Sequence, residues 1–172
     1  FPTCFNFYGL GRELFTPLLP TNMTTQKERD AYEEATRAII KEATGENIIA
    51  FDYLWQLACV SRTVDDIFDA DQEVSRKQLL DAVQWLFIEL PSNPFFQLHR
   101  DTLHSQHLSM WNAWIAANEW EKGDETDQIY GHVWRDTHHE VFPIVALLTQ
   151  GPLKMEEVSM KIRKLFKKKL GE

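Results

Sequence analysis

Polar residues recur at helical spacing along two predicted helices of this 172-residue chain, at positions where a bundle would normally place apolar ones. The first helix carries Asp52, Gln56, Cys59, Thr63 and Asp66. The second carries Arg100, His104, His107, Trp111, Trp114, Asn118 and Glu121. Alternating steps of three and four place residues on one helical face. Because burying an unpaired polar group costs about 1–3 kcal/mol, these faces predict a satisfied internal network or a lined cavity.

If the two polar faces meet, they bring together carboxylates, a guanidinium group and two imidazoles between tryptophan walls. The candidate ligand-binding residues are then Asp52, Gln56, Asp66, Arg100, His104, His107, Trp111 and Asn118. In such a pocket an Asp or His would act as a general base, and Arg100 would hold an anionic group. Two alternatives stay open: a structural network that fixes helix register, and a polar face open to water.

Three aspartates stand within five residues at the end of the first of these helices. Asp65, Asp66 and Asp69 are candidate metal ligands, because carboxylates on one helical face bind hard cations such as Mg²⁺. A divalent metal is the one cofactor that the sequence suggests. The alternative is a solvated acidic helix end, since Asp71 and Glu73 follow directly.

The run from Asp65 to Asp69, which reads DDIFD, resembles the aspartate-rich motif of isoprenoid and terpene synthases. The resemblance covers five residues. It implies an all-α fold in which Asp65, Asp66 and Asp69 hold magnesium and a diphosphate group.

Two further segments read RDTxH, from Arg100 to His104 and from Arg135 to His139. Each sets an Asp three residues before a His, a spacing similar to the Glu-x-x-His ligand pairs of di-iron bundles. On the second segment's helix, the apolar pattern assigns one arc to the core: Tyr130, Val133, Trp134, Val141, Ile144, Val145 and Leu148. That arc predicts that Asp136 and His139 face solvent.

The bulk composition limits the classes of function. A hydrophobic content of 44% is enough for a core, and a net charge of −8 argues against sequence-independent nucleic-acid binding. No apolar run approaches the ~20 residues of a membrane span, so a soluble, cytoplasmic protein is favoured. Cys59 lies on a helical polar face and is predicted to be a buried thiol.

The chain organisation is predicted to be all-α: residues 1–23 as an irregular apolar arm, then residues 24–172 as a single helical domain of five or six helices. The predicted helices span about 24–44, 47–70, 75–91, 94–122 and 124–151, and a weaker one follows Pro152. The third packs through Leu79, Val83, Leu86 and Leu90, and Pro143 kinks the fifth.

Two functional hypotheses follow, from different classes. The first is a non-enzymatic interaction protein that binds a protein partner, or a second copy of itself, through the aromatic arm or the basic helix at 161–169. An anionic membrane surface is a further candidate partner of that basic helix. The alternative hypothesis is a bundle that binds a small ligand or divalent metal in an Asp/Arg/His pocket, with hydrolase or lyase activity.

Overall fold

The computed structural model describes residues 26–70 and 73–165, and those residues form helices and short connections with no strand. The predicted all-α class is therefore confirmed. The helices are α1 Gln26–Thr44, α2 Ile48–Asp69, α3 Arg76–Gln84, α4 Leu90–Ser92, α5 Pro94–Leu98, α6 Arg100–Trp120, α7 Glu125–Arg135, α8 Val141–Gln150 and α9 Pro152–Leu165. A π-helix, Trp85–Glu89, joins α3 to α4, and a 3₁₀-helix, Asp136–Glu140, joins α7 to α8. Seven helices have nine residues or more, close to the five or six predicted.

The predicted arm at 1–23 lies outside the described residues, and so do residues 166–169 of the basic helix predicted at 161–169. No helix of the described part is long and apolar enough to cross a membrane.

The centre of the core is formed by α1, α2, α8 and α9, and buried residues of the segments from α3 to α6 extend it. Its fully buried side chains include Ile40, Leu54, Val145, Val158 and Ile162. α1 and α2 form an antiparallel hairpin, because only Gly45 to Asn47 connect them and Gly45 takes the left-handed conformation (φ +57°) that ends α1.

The end of α1 is joined to α8 by side chains that satisfy its last carbonyl groups. Thr149 Oγ1 donates to the Ala43 carbonyl at 2.9 Å, and Gln150 Nε2 donates to the same oxygen at 3.0 Å. Terminal helix carbonyls have no partner within the helix, so these bonds fix the position of α1 against α8.

The predicted packing of the third helix is correct for Leu90 and wrong for the other three residues. Leu79, Val83 and Leu86 are 40–46% exposed, and the core side of this segment is instead formed by Ala82, Trp85 and Leu90. Apolar residues occur on nearly every side of α3, so the pattern did not single out the buried side. We call the exposed apolar residues the α3 outer face: Leu79, Leu80, Val83, Phe87 and Ile88.

The long fifth helix is interrupted by the 3₁₀-helix, which ends at Glu140, three residues before Pro143. Pro143 lies in the first turn of α8, where a missing N–H disturbs no helical hydrogen bond. The prediction that His139 faces solvent is wrong: it is buried, because the tighter 3₁₀ turn changes the direction of its side chain. Asp136 is exposed, as predicted.

The core arc predicted across this break is half right. Val141 and Val145 are buried, whereas the α7 members Tyr130, Val133 and Trp134 are exposed. Tyr130 and Trp134 instead make edge contacts with Trp120 at the end of α6. α7 comes close to α6 at the buried Gly131, where an added Cβ would meet the Ala117 carbonyl at 3.3 Å.

Ile162→Ala should lower the free energy of unfolding by about 2–4 kcal/mol, because it opens a cavity where α9 meets the core. Urea unfolding measures the loss. Met160→Ala, which truncates a 60% exposed side chain of the same helix, is the matched control. Equal effects of the two substitutions would contradict this assignment of the core.

Candidate functional site

α2 and α6 face each other across a cavity of about 970 Å³, to which α1, α7, α8 and α9 also contribute side chains. The middle of its wall is apolar, with Leu54, Leu57, Val60 and Val64 on α2 and Met110 on α6. Two sets of contacts between α2 and α6 border this space. We call the end near Tyr53 the lower end and the end near Asp65 the upper end.

The lower contact is a hydrogen bond between Tyr53 and His107. The Tyr53 hydroxyl lies 2.7 Å from His107 Nε2, and the two rings are stacked with centroids 6.0 Å apart. Phe96 stacks on both rings. Burial raises the pKa of Tyr53, so its hydroxyl stays protonated. This aromatic group holds α2 and α6 at a fixed separation.

The upper contact centres on Asp65, which binds three donors from three elements. Its Oδ1 accepts from Trp114 Nε1 of α6 at 3.0 Å and from Arg135 Nη1 of α7 at 3.4 Å. Its Oδ2 accepts from Arg62 Nη1 of α2 at 3.1 Å. Phe68 packs edge-on against Trp114 at 4.8 Å. One carboxylate therefore links α2, α6 and α7.

Arg135 extends this network to the end of α6. Its Nη2 donates to Asn118 Oδ1 at 2.6 Å and to Glu121 Oε2 at 2.7 Å. The side chains in this group are at most about one-third exposed. Solvent and salt therefore screen their ion pairs less than they screen pairs on the surface. We call Arg62, Asp65, Trp114, Asn118, Glu121 and Arg135 the Asp65 network.

The predicted polar face of α6 lines the cavity over most of its length. His104, His107 and Trp111 of the predicted ligand-binding residues contribute to the wall, together with Trp114 and Glu121. Arg100 and Asn118 do not: Arg100 is exposed, and Asn118 is buried against Arg135. Trp111 stacks on Trp114 with ring centroids 5.3 Å apart.

The predicted polar face of α2 does not line the cavity. Asp52 and Gln56 are half-buried outside its wall, and Asp66 is fully buried. Asp66 pairs with Arg62 Nη2 at 2.7 Å, while the Thr63 hydroxyl donates to the Cys59 carbonyl within the helix. The polar face of α2 therefore points away from the cavity, and its buried carboxylate, Asp66, is neutralised by Arg62 of the same helix.

The three candidate metal ligands take different environments. Asp65 and Asp69 both line the cavity, whereas Asp66 lies outside its wall. Within residues 26–70 and 73–165, no three His, Cys, Asp or Glu side chains are grouped so that they could hold a metal ion.

The sequence patterns did not predict that Arg62 and Arg135 pair with Asp65, or that most of the histidines lie around one cavity. Arg62 stands three and four residues before Asp65 and Asp66, the spacing of helical ion pairs, and could have been found by that signal. Arg135 is 70 residues from Asp65, so no local pattern could pair them. Five of the six histidines line the cavity: His104, His107, His132, His138 and His139.

Burial controls the protonation of several of these groups. It lowers the pKa of His107 to about 4, and the neighbouring His104 contributes to the shift. Burial also lowers the pKa of His138, whose Nδ1 contacts the Arg135 carbonyl. The pKa of the buried Cys59 thiol rises to about 12, so it is a poor nucleophile at neutral pH.

Comparisons of the chain with protein-family models, with curated proteins and with solved structures find no match.

Asp65→Asn should lower the free energy of unfolding by about 1–3 kcal/mol, because Arg62 and Arg135 lose the carboxylate that they share. Chemical denaturation measures the change. The control Asp81→Asn removes the exposed pair with Lys77 and should cost about 0–1 kcal/mol. If Asp65→Asn is as mild as the control, the network does not hold the helices together.

Lowering the pH from 6.5 toward 4 should destabilise the protein through His107. Its folded pKa of about 4 lies below the ordinary value of 6.5, so the unfolded chain takes up the proton first and stability falls in this window. His107→Gln retains a hydrogen-bond acceptor for Tyr53 and removes the titration. Urea midpoints across this range should therefore fall less steeply in the variant; parallel profiles would contradict the assignment.

Proposed function

We propose that this protein binds an apolar small molecule in the α2–α6 cavity, with the ligand's polar end at the Asp65 network. The observation that carries the proposal is the cavity itself, about 970 Å³ in volume. Small-molecule sites typically enclose about 300–1,000 Å³, with mostly apolar walls and a few convergent polar groups. This cavity has both features on opposing helices of one bundle.

The chemistry of the wall favours an elongated apolar ligand. Leu57, Val60 and Val64 of α2 face Met110 and Trp111 of α6. Apolar contact of this kind contributes roughly 25 cal/mol for each Å² removed from water, so a hydrocarbon chain would gain most of its binding energy here. Charged groups concentrate at the upper end, in the Asp65 network and at Asp69.

The aspartate-rich motif supports an isoprenoid diphosphate as the ligand class. Its resemblance to the motif of isoprenoid and terpene synthases implies an apolar chain joined to a diphosphate, and this cavity has an apolar middle and a charged upper end. The aspartates do not fit a magnesium site. Asp65 already accepts from Arg62, Trp114 and Arg135, and Asp66 is fully buried and paired with Arg62. The guanidinium groups of Arg62 and Arg135, which line the same end of the cavity, are the cations that would face a diphosphate.

A second candidate function is interaction with a protein partner. The observation that favours it is the α3 outer face, where Phe87 and Ile88 are 77% and 62% exposed. Contiguous exposed apolar residues often mark interaction sites. The arm and residues 166–169 of the basic helix lie outside the described residues, and in the described part of that helix Lys161 pairs with Glu42 and Arg163 pairs with Glu140.

Filling the cavity tests the proposed function. Ala58 is a small residue of the wall, and Ala58→Phe should weaken binding of the fluorescent probe 8-anilinonaphthalene-1-sulfonate about tenfold or more while the melting temperature is retained. Ala38→Phe, on the exposed side of α1, is the matched control and should bind normally. Farnesyl diphosphate should displace the probe from the wild type.

Equal probe binding by the two variants would place the probe on another surface, such as the α3 outer face, and would contradict the proposal. Displacement by farnesol as effective as by farnesyl diphosphate would retain the apolar ligand and reject the diphosphate.

A further inference from the structure

The segment from α3 to α4 is one continuous helical stretch whose register is shifted by a π-turn. The Leu90 N–H donates to the Trp85 carbonyl, five residues back, where an α-helix would bond to a carbonyl four residues back. Because of this wider turn, Trp85 and Leu90 both point into the core, and Phe87 and Ile88, which lie between them in sequence, point outward. The α3 outer face is therefore continuous from Leu79 to Ile88. Single π-turns of this kind often occur at functional sites.

The apolar surface of the α3 outer face is large for a chain of this length. Its five residues are each 42–77% exposed, which amounts to roughly 600 Å², the upper limit of the largest apolar patch on a typical monomer. A stable interface between two proteins covers about 800 Å² on each partner. The face and the polar side chains along its edges therefore offer an area close to the one that a dimer buries.

The charges along this stretch are arranged so that the face complements itself. Residues 76–89 carry two basic and two acidic side chains, so the stretch has no net charge although the chain carries −8. Arg76 and Lys77 stand at its start, and Glu89 stands at its end. The pair between Lys77 and Asp81 is exposed and therefore weak, so the ammonium group is available to a further carboxylate. A surface that is basic at one end, apolar in the middle and acidic at the other end matches a second copy of itself in the antiparallel direction, as a two-fold axis requires.

We propose that two copies of this chain pair through the α3 outer face, in antiparallel directions about Val83. This register places Leu79 of one copy opposite Phe87 of the other, because both residues are four positions from Val83. It also places Lys77 opposite Glu89, since both are six positions from Val83. The proposal rests on the second candidate function, for which it names the partner, and it is independent of the ligand that the cavity binds.

Sedimentation velocity of the full chain at about 1–100 µM tests the pairing. The wild type should sediment increasingly as a dimer over this range, and Phe87→Ser should raise the dissociation constant about tenfold or more, because it removes the largest apolar contact of the face. Leu98→Ser is the matched control, since Leu98 is 76% exposed on α5, outside this face, and the variant should dimerise normally. A wild type that stays monomeric would overturn the proposal, and so would a dimer that Phe87→Ser leaves intact.

Charge reversal tests the antiparallel register. Lys77→Glu and Glu89→Lys should each raise the dissociation constant about fivefold, because each substitution sets like charges opposite each other at both ends of the interface. A mixture of the two variants should regain the wild-type affinity, since opposite charges then face each other again. Lys122→Glu, which reverses an exposed lysine outside the face, is the matched control and should have no effect.

A mixture that associates no better than the single variants would overturn the proposed pairing. The state of association and probe binding in the cavity are measured separately, so failure of this proposal is distinct from failure of the proposed ligand site.

Discussion

The ion-pair network around Asp65 is the interaction on which the arrangement of the cavity depends. α2 and α6 line a large space, so direct core packing alone does not fix their separation at this end. A carboxylate that accepts from Arg62, Arg135 and Trp114 instead links three helices through charge-assisted bonds. Such a group tolerates partial burial because each charge has a partner of opposite sign.

The Asp65 network makes one end of the cavity chemically different from the other. At the lower end, a neutral Tyr53–His107 pair closes the space among aromatic rings. At the upper end, arginines and carboxylates meet, and Asp69 adds a carboxylate to the wall. An apolar chain with a charged head group matches this gradient, whereas a uniformly polar metabolite would leave the apolar wall unsatisfied. The proposed ligand class follows from that asymmetry.

The sequence predicted the elements that have strong local signals. α2 begins and ends within one residue of its predicted limits, because Asn47 caps its first turn and the polar DDIFD run follows its apolar stretch. The polar face of α6 was found for the same reason, since His104, His107 and Trp111 repeat at helical spacing. The π-helix and the 3₁₀-helix were not predicted, because hydrophobic periodicity does not reveal a local change in the spacing of backbone hydrogen bonds.

The sequence also could not predict what the polar face of α2 contacts, or that Arg135 pairs with Asp65. Periodicity shows which residues share a helical face but not what that face contacts, and Asp52, Gln56 and Asp66 lie outside the cavity wall. Arg135 meets Asp65 only because α7 folds back on α6 at the buried Gly131. Contacts of this kind are set by tertiary structure.

The central claim is that an apolar ligand binds between α2 and α6. Photoaffinity labelling tests it most directly, with a benzophenone ether of farnesol as the probe and mass spectrometry of the labelled peptides as the measurement. The account predicts labels on the facing segments 54–65 and 107–114, lost in the presence of excess farnesyl diphosphate. Labels confined to residues 79–88 of the α3 outer face would contradict it.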